Sequence, residues 1–462
     1  MSTVMQDLTN QFNDISWTRL CVLTNDVVLN LASFIQYAAD FFSFLEAFRA
    51  DKSLPEQLEH LRQLGLVKDQ SELWPVLKLT ANDSKLNRVS FDALHSAASY
   101  YKQVFVHSFP PSLIRWLSFD TFKPTTEWHF DMTEDMFWQA HSEWTGLQIT
   151  KLSLDVRFWR KKITPADLSG TLHQLGHLTA LQLTCVDPLL VDALFAFACN
   201  SAQLTQLEVD GDRFRLTSSI GNNLIQWFER QPVRAFKFPG WCVQNQDLAL
   251  KQAVDEVVFN CQTLEILECS EYLATLDFKK LSFPMRTLKF HGVHPRHDHS
   301  LAHFAKRLVG SGVRHLALTN DLRENRRRLD GIERLFQLLD GIQIKSLDVS
   351  GLLIRGVVWR AVATYLPHYR QLKTLIIKNT GMTNERALML AAAIQENKSI
   401  QELDVSGNKI NGNSIEKLIR ACTNPNRALR MKSIRFHNCA ISPEEYNSLQ
   451  EYAKHRFIEF AT

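Results

Sequence analysis

The chain has 462 residues, room for two to four domains of roughly 100–200 residues each, or for one elongated array. Hydrophobic residues make up 45%, enough for a sizeable core, so wholesale disorder is excluded. Fifty-two basic against 49 acidic side chains leave a net charge of +3, which gives no charge argument for nucleic acid or a membrane surface.

Residues 1–20 form an N-terminal tail in which no basic stretch precedes an apolar run, so no signal peptide is expected. Residues 21–66 read as an all-α module of three short helices. Thr24 can cap the first, which carries Leu23, Val27, Leu31, Phe34 and Ile35 at helical spacing. Asp40 can cap the second, with Phe41, Phe44, Leu45 and Phe48. Leu54-Pro55 starts the third, with Leu58, Leu61 and Leu64 in line and Gly65 at its end. Val27–Leu45 approaches the length of a membrane span. Asn30, Gln36 and Asp40 interrupt it, so buried helices are expected and no membrane partner.

Residues 67–148 read as a connecting segment or irregular repeats. ELWPVLKL and LIRWLSF look like strands, and SFDALHSAASYYKQVF looks helical. Trp116, Trp128, Trp138 and Trp144 are expected to pack as core.

Residues 149–462 repeat one short frame: apolar, two variable residues, apolar, one variable residue, apolar. Its fourth residue falls at Leu152, Leu181, Leu207, Phe236, Leu267, Leu288, Leu316, Leu347, Leu375, Leu403 and Ile434. The mean gap is near 28 residues, and helical segments such as DPLLVDALFAFACNS and ERALMLAAAIQEN lie between the frames. Asp187, Asn384 and Asn413 are candidate caps, and Gly310 and Gly341 can end helices. A strand and a helix at this period resemble the long, ribonuclease-inhibitor-like leucine-rich repeat. In IQELDVSGNKING the family's LxLxxN is met by Leu403, Val405 and Asn408, and in MKSIRFHNCAIS Cys439 takes the Asn position. The resemblance implies an α/β solenoid, a horseshoe with a parallel inner sheet and outer helices.

The variable residues of each frame then face the concave wall: Gln206, Glu208, Asp210, Lys237, Glu268, Lys289, His291, His315, Asp348, Lys378, Asp404 and Arg435. Their mixed sign names no ligand class, and the expected use is a protein partner on the concave face. Trp241, in the loop-like FPGWCVQN, lies in the chain near these charges. Contact is therefore expected at Glu208, Lys237, Trp241, Glu268, Lys289 and His291.

LTNDVVLNLASFIQYAADFFSFLEAFR resembles an F-box, supplying Leu23, Asp26, Val27, Val28, Leu31, Ser33, Phe34, Ile35, Asp40 and Arg49. Thr24 stands where the family has proline, and the closing Trp is absent. An F-box ahead of a leucine-rich array is the arrangement of substrate receptors in Skp–cullin–F-box ubiquitin ligases. It implies a Skp-type adaptor at Leu23, Val27, Leu31, Phe34 and Ile35, with a substrate on the array. An ordinary helical cap for the array is the other reading of these residues, and would make the chain a scaffold without a ligase role. A GTPase-activating protein of the same repeat type is a third, but the chain ends EYAKHRFIEFAT where that family has an acidic tail.

Enzyme motifs for phosphate, dinucleotide, zinc-protease, serine-hydrolase and calcium sites do not occur, so no catalytic residues and no cofactor are expected. The eight cysteines form no CxxC pair, which fits a reduced compartment, cytoplasm or nucleus. His291, His294, His297, His299 and His303 cluster, but a solvated repeat loop is expected there rather than a metal site. Arg323, Arg326, Arg327 and Arg328, beside Glu324 and Asp330, are read as a solvated loop too.

Overall fold

The computed structural model describes residues 25–456 except 51–53, 108–121, 123–124, 140–146, 212–213, 243–246, 271–275, 294–297, 321–330, 355, 426, 428 and 430. Two compact units divide the chain: residues up to Leu154 with Gln174–Leu178, and Asp155–His173 with Thr179 onward. The helical module and the segment expected over 67–148 share the first.

In the first unit, α1 (Asn25–Phe34), α2 (Ala38–Ala50) and α3 (Glu56–Leu64) pack through Val28, Ala32, Phe41, Phe42, Leu45, Leu58, Leu61 and Leu64, all buried. The second helix begins at Ala38, not after Asp40. Asp40 therefore sits in its first turn, where the partial positive charge of the helix end favours a carboxylate. Gly65 follows α3 because the Phe42 ring comes so close that a Cβ would lie 2.2 Å from it. Thr24 and Leu23 lie outside the described residues.

Four parallel strands follow, in the order β1 (Leu77–Leu79), β2 (Gln103–His107), β3 (Glu127–Met132) and β4 (Ile149–Asp155). Leu79, Val106, Phe130 and Leu152 align across them and are buried. The sequence pattern expected a helix running through residues 90–105. The helix stops at Ala97, and Val104 and Phe105 belong to β2. Strand β3 was not expected, and LIRWLSF lies outside the described residues. Trp128 is buried beside Phe122 and Phe130; Trp116 and Trp144 are outside the described residues.

The second unit holds ten parallel strands: β5 (Ala180–Cys185), β6 (Gln206–Gly211), β8 (Ala235–Phe238), β10 (Ile266–Ser270), β11 (Thr287–His291), β12 (His315–Leu318), β13 (Ser346–Asp348), β14 (Thr374–Ile376), β15 (Glu402–Asp404) and β16 (Ser433–Arg435). Strands β7 (Phe214–Arg215) and β9 (Trp241–Cys242) pair separately. The fourth residue of every frame stacks on the next without a slip, from Leu181 through Leu207, Phe236, Leu267, Leu288, Leu316, Leu347, Leu375 and Leu403 to Ile434. All are buried. Helices cover this face: Phe195 and Trp227 meet Phe236 edge-on, and Phe259 and Phe304 meet Phe290. The other face is largely half-buried or exposed, with buried exceptions such as Thr184, Ala317 and Asp404. The fold class is α/β, a leucine-rich-repeat solenoid with a small all-α N-terminal module.

A second periodicity lies four residues past Leu288, Leu347, Leu375, Leu403 and Ile434. Gly292, Gly351, Gly407, Asn379 and Asn438 all have φ between 53° and 74°. The chain turns through the left-handed region there, which Gly and Asn enter most readily. Asp187 caps its helix as expected, whereas the caps near 384 and 413 are Thr383 and Asn411.

Candidate partner-binding surfaces

The first surface is the outer side of α1. Helical spacing puts Val27, Leu31 and Phe34 on one side and Val28 and Ala32 on another. The module buries the second side and leaves the first in solvent: Val27 is 41% exposed, Leu31 44% and Phe34 80%. Tyr37, three residues past the helix end, is 67% exposed. Sequence reading did not single it out, because it lies outside the helix. Ile35 is half-buried, and its carbonyl accepts the Trp74 indole N–H at 2.7 Å. Below it, the Phe41 ring stacks on Trp74 with centroids 3.8 Å apart.

The second surface is the open face of the ten sheet strands of the second unit. Glu208, Lys237, Glu268 and Lys289 each follow a stacked core residue by one, so they occupy one row on neighbouring strands. Their signs alternate. Lys237 donates to Glu208 at 2.7 Å, and Lys289 lies 3.1 Å from Glu268. His291 bonds Glu268 through Nε2 at 2.7 Å and Thr319 through Nδ1 at 2.9 Å. Burial alone would raise the Glu268 carboxyl, but the bonds from His291 and Lys289 outweigh it and hold it down at about 2. The row satisfies itself, so a partner laid on it meets a polar but internally neutralised ladder. Thr319 was missed in the sequence; it stands three residues past Leu316, as His291 stands past Leu288.

Trp241 is not in a loop. Its backbone forms β9, paired with β7 outside the main sheet, while its side chain lies outside the described residues. Asp404 also departs from expectation. It is buried at 5% exposure because its carboxylate turns onto the Ser406 N–H at 3.0 Å, where it orders the turn instead of facing a partner.

His294 and His297 lie outside the described residues, as does the Arg323–Arg328 run. Among the described residues no group of three or more His, Cys, Asp or Glu is placed to hold a metal, and no helix is long and apolar enough to cross a membrane. Burial pushes the Cys185 and Cys422 thiols up to about 12, so both stay protonated near neutral pH and are poor nucleophiles.

No protein-family model matches the chain, and no curated protein matches it. Among solved structures, the Rad7 and Elc1 complex in yeast is similar at 12% identity over 97% of both chains, with a TM-score of 0.42. An internalin from Listeria monocytogenes is similar at 12% identity over 65% of this chain and 88% of its own, with a TM-score of 0.33. Likenesses this distant carry no weight, and the fold rests on the register of the repeats themselves.

Proposed function

We propose that the chain is a non-enzymatic recruiting adaptor. Helix α1 docks a Skp-type adaptor, as F-box helices do, and the open sheet face holds a second protein for ubiquitination. One observation carries the reading: Val27, Leu31 and Phe34 stand in solvent on a helix whose other side, Val28 and Ala32, is fully packed. Exposing a row of large apolar side chains is unfavourable unless something covers it, and such a patch marks an absent partner.

Co-purification of the full chain with a Skp-type adaptor tests it. Wild type should retain the adaptor, and Leu31→Asp should lose it. Equal recovery by both, or none by wild type, would sink the adaptor role.

The second reading is a repeat scaffold whose helices serve only as a cap. It draws support from the Phe41–Trp74 stack and the Trp74–Ile35 bond, which fasten the helices to the segment after them. Failure of wild type to bind any Skp-type adaptor, with repeat-dependent partner binding intact, would favour it.

A further inference from the structure

The residue immediately before each strand of the main sheet from β8 to β16 forms a row along its strand-entry rim. In order these residues are Arg234, Glu265, Arg286, Arg314, Lys345, Lys373, Gln401 and Lys432. From Glu265 on, each backbone N–H donates to the carbonyl of the residue before it in the row, at 2.7–3.0 Å. Neighbouring members therefore sit about one strand spacing apart, roughly 4.8 Å.

Six of the eight are basic, although the whole chain is nearly neutral. Arg234 has Glu265 at 4.0 Å, but Arg286, Arg314, Lys345 and Lys373 make no ion pair with the described residues. Arg314 spends one guanidinium nitrogen on the Ser311 and Val313 carbonyls, which fixes the side chain without neutralising it. Four like charges are thus held side by side, which disfavours the free surface and favours an anionic cover. His315, next to the row, is held below the usual histidine range, first by burial and then by the positive charges of Arg286 and Lys345.

A cleft of about 170 Å³ opens beside the same stretch. Leu339, Ile342, Ile344 and Leu372 give it apolar walls, and Arg370 and Gln371 are its exposed lining residues. Ile344 and Leu372 directly precede Lys345 and Lys373, so the cleft and the charges belong to the same two repeats.

We propose that this rim docks an acidic segment of a partner protein, with carboxylates on Arg286, Arg314, Lys345 and Lys373 and one bulky apolar side chain in the adjoining cleft. An acidic peptide fits better than a nucleic acid. Strand residues next to the row are Thr287, His315, Ser346 and Thr374, and among the described residues none of these is Phe, Tyr or Trp, the side chains that usually stack bases. The site is separate from α1 and from the Glu208–Lys289 ladder, and it does not depend on the adaptor assignment. It moves the expected partner contact from the self-neutralised row to the rim, where the positive charge is unspent.

Fluorescence anisotropy of the full chain with a labelled oligoglutamate carrying one central phenylalanine tests the proposal. Binding should weaken steeply between low and near-physiological salt. Lys373→Glu should weaken it by about tenfold, whereas Lys409→Glu, the same charge change on the strand-exit side, should leave it within about twofold. Lys373→Arg should retain binding, and replacing the peptide's phenylalanine by alanine should weaken it. Absence of peptide binding by wild type, equal loss in Lys373→Glu and Lys409→Glu, or tighter binding of an equally charged oligothymidylate would overturn it.

Discussion

Asn408 donates its side-chain amide to the Ile377 carbonyl of the preceding repeat at 2.8 Å, and to its own repeat's Val405 carbonyl at 2.8 Å. Its Oδ1 accepts from the Thr380 and Met382 backbone N–H groups at 3.1 and 3.0 Å. One buried amide thus satisfies two donors and two acceptors at a turn where no ladder hydrogen bond is available. Asn408→Ala should destabilise the chain by more than about 2 kcal/mol, because it leaves those groups dry and unpaired. Urea unfolding would measure this, and a loss under half that size would count against the account.

Leu375 is fully buried between Leu347 and Leu403 in the stacked column. Leu375→Ala should cost about 2–5 kcal/mol through lost transfer energy and an unfilled cavity. The same urea titration reads it, and a near-neutral result would mean that the neighbouring repeats collapse onto the gap.

Gly351 and Asn379 occupy equivalent turn positions but tolerate change differently. At Gly351, φ is +74° and an added Cβ would lie 1.8 Å from the Asn320 carbonyl oxygen. Gly351→Ala should lower stability by at least about 1–2 kcal/mol from the left-handed backbone alone, with the clash in addition. Asn379 already carries a side chain at φ +54°, so Asn379→Gly should be close to neutral in thermal unfolding.

The two sides of α1 should separate stability from binding. Val28 is fully buried, so Val28→Asp strands a carboxylate and should cost roughly 3 kcal/mol or more. Val27→Asp, on the exposed side, should leave the unfolding midpoint nearly unchanged while abolishing adaptor capture. A stability loss in Val27→Asp equal to that in Val28→Asp would show that the outer side is structural.

Glu268 gives a pH signature. Its folded carboxyl lies at about 2 against an ordinary 4.5, so its contribution is fully present above about pH 4.5 and is lost as pH falls toward 2. Glu268→Gln removes the titrating group. Stability of the variant relative to wild type should therefore improve as pH drops through that window. Parallel wild-type and variant curves in urea unfolding between pH 2 and 5 would refute the Glu268–His291–Lys289 assignment.

The stacked column was legible because each of its residues is large, apolar and one repeat from the next. The earliest strands were harder to read. Val106 and Phe130 hold the same place, but Gln103 and Glu127 stand where the frame opens on an apolar residue, so the leucine frame does not announce them. The left-handed turn was written in plain sight as Gly or Asn four residues past the column, a signal carried by conformation rather than hydrophobicity. At the candidate sites, residue spacing put Glu208, Lys237, Glu268 and Lys289 in one row, but it did not reveal that they consume one another's charge. That follows from strand register, which brings residues 20 to 30 apart in the chain into ion-pair distance. The basic rim escaped notice for a related reason: a single Lys or Arg before a strand is ordinary, and only the aligned repeats make it a stripe.

The slip-free register from Leu181 to Ile434 also governs how this chain can change length. Losing or gaining one residue within a strand would swap its inward and outward side chains and break the column. Removing residues 347–374 would instead bring Leu375 into the place of Leu347, with the following helix and turn carried along intact. Whole-repeat duplication or deletion is the tolerated step in such an array, and single-residue insertions belong in the linkers between strand and helix. The rim would lengthen or shorten in the same increments, one cation at a time.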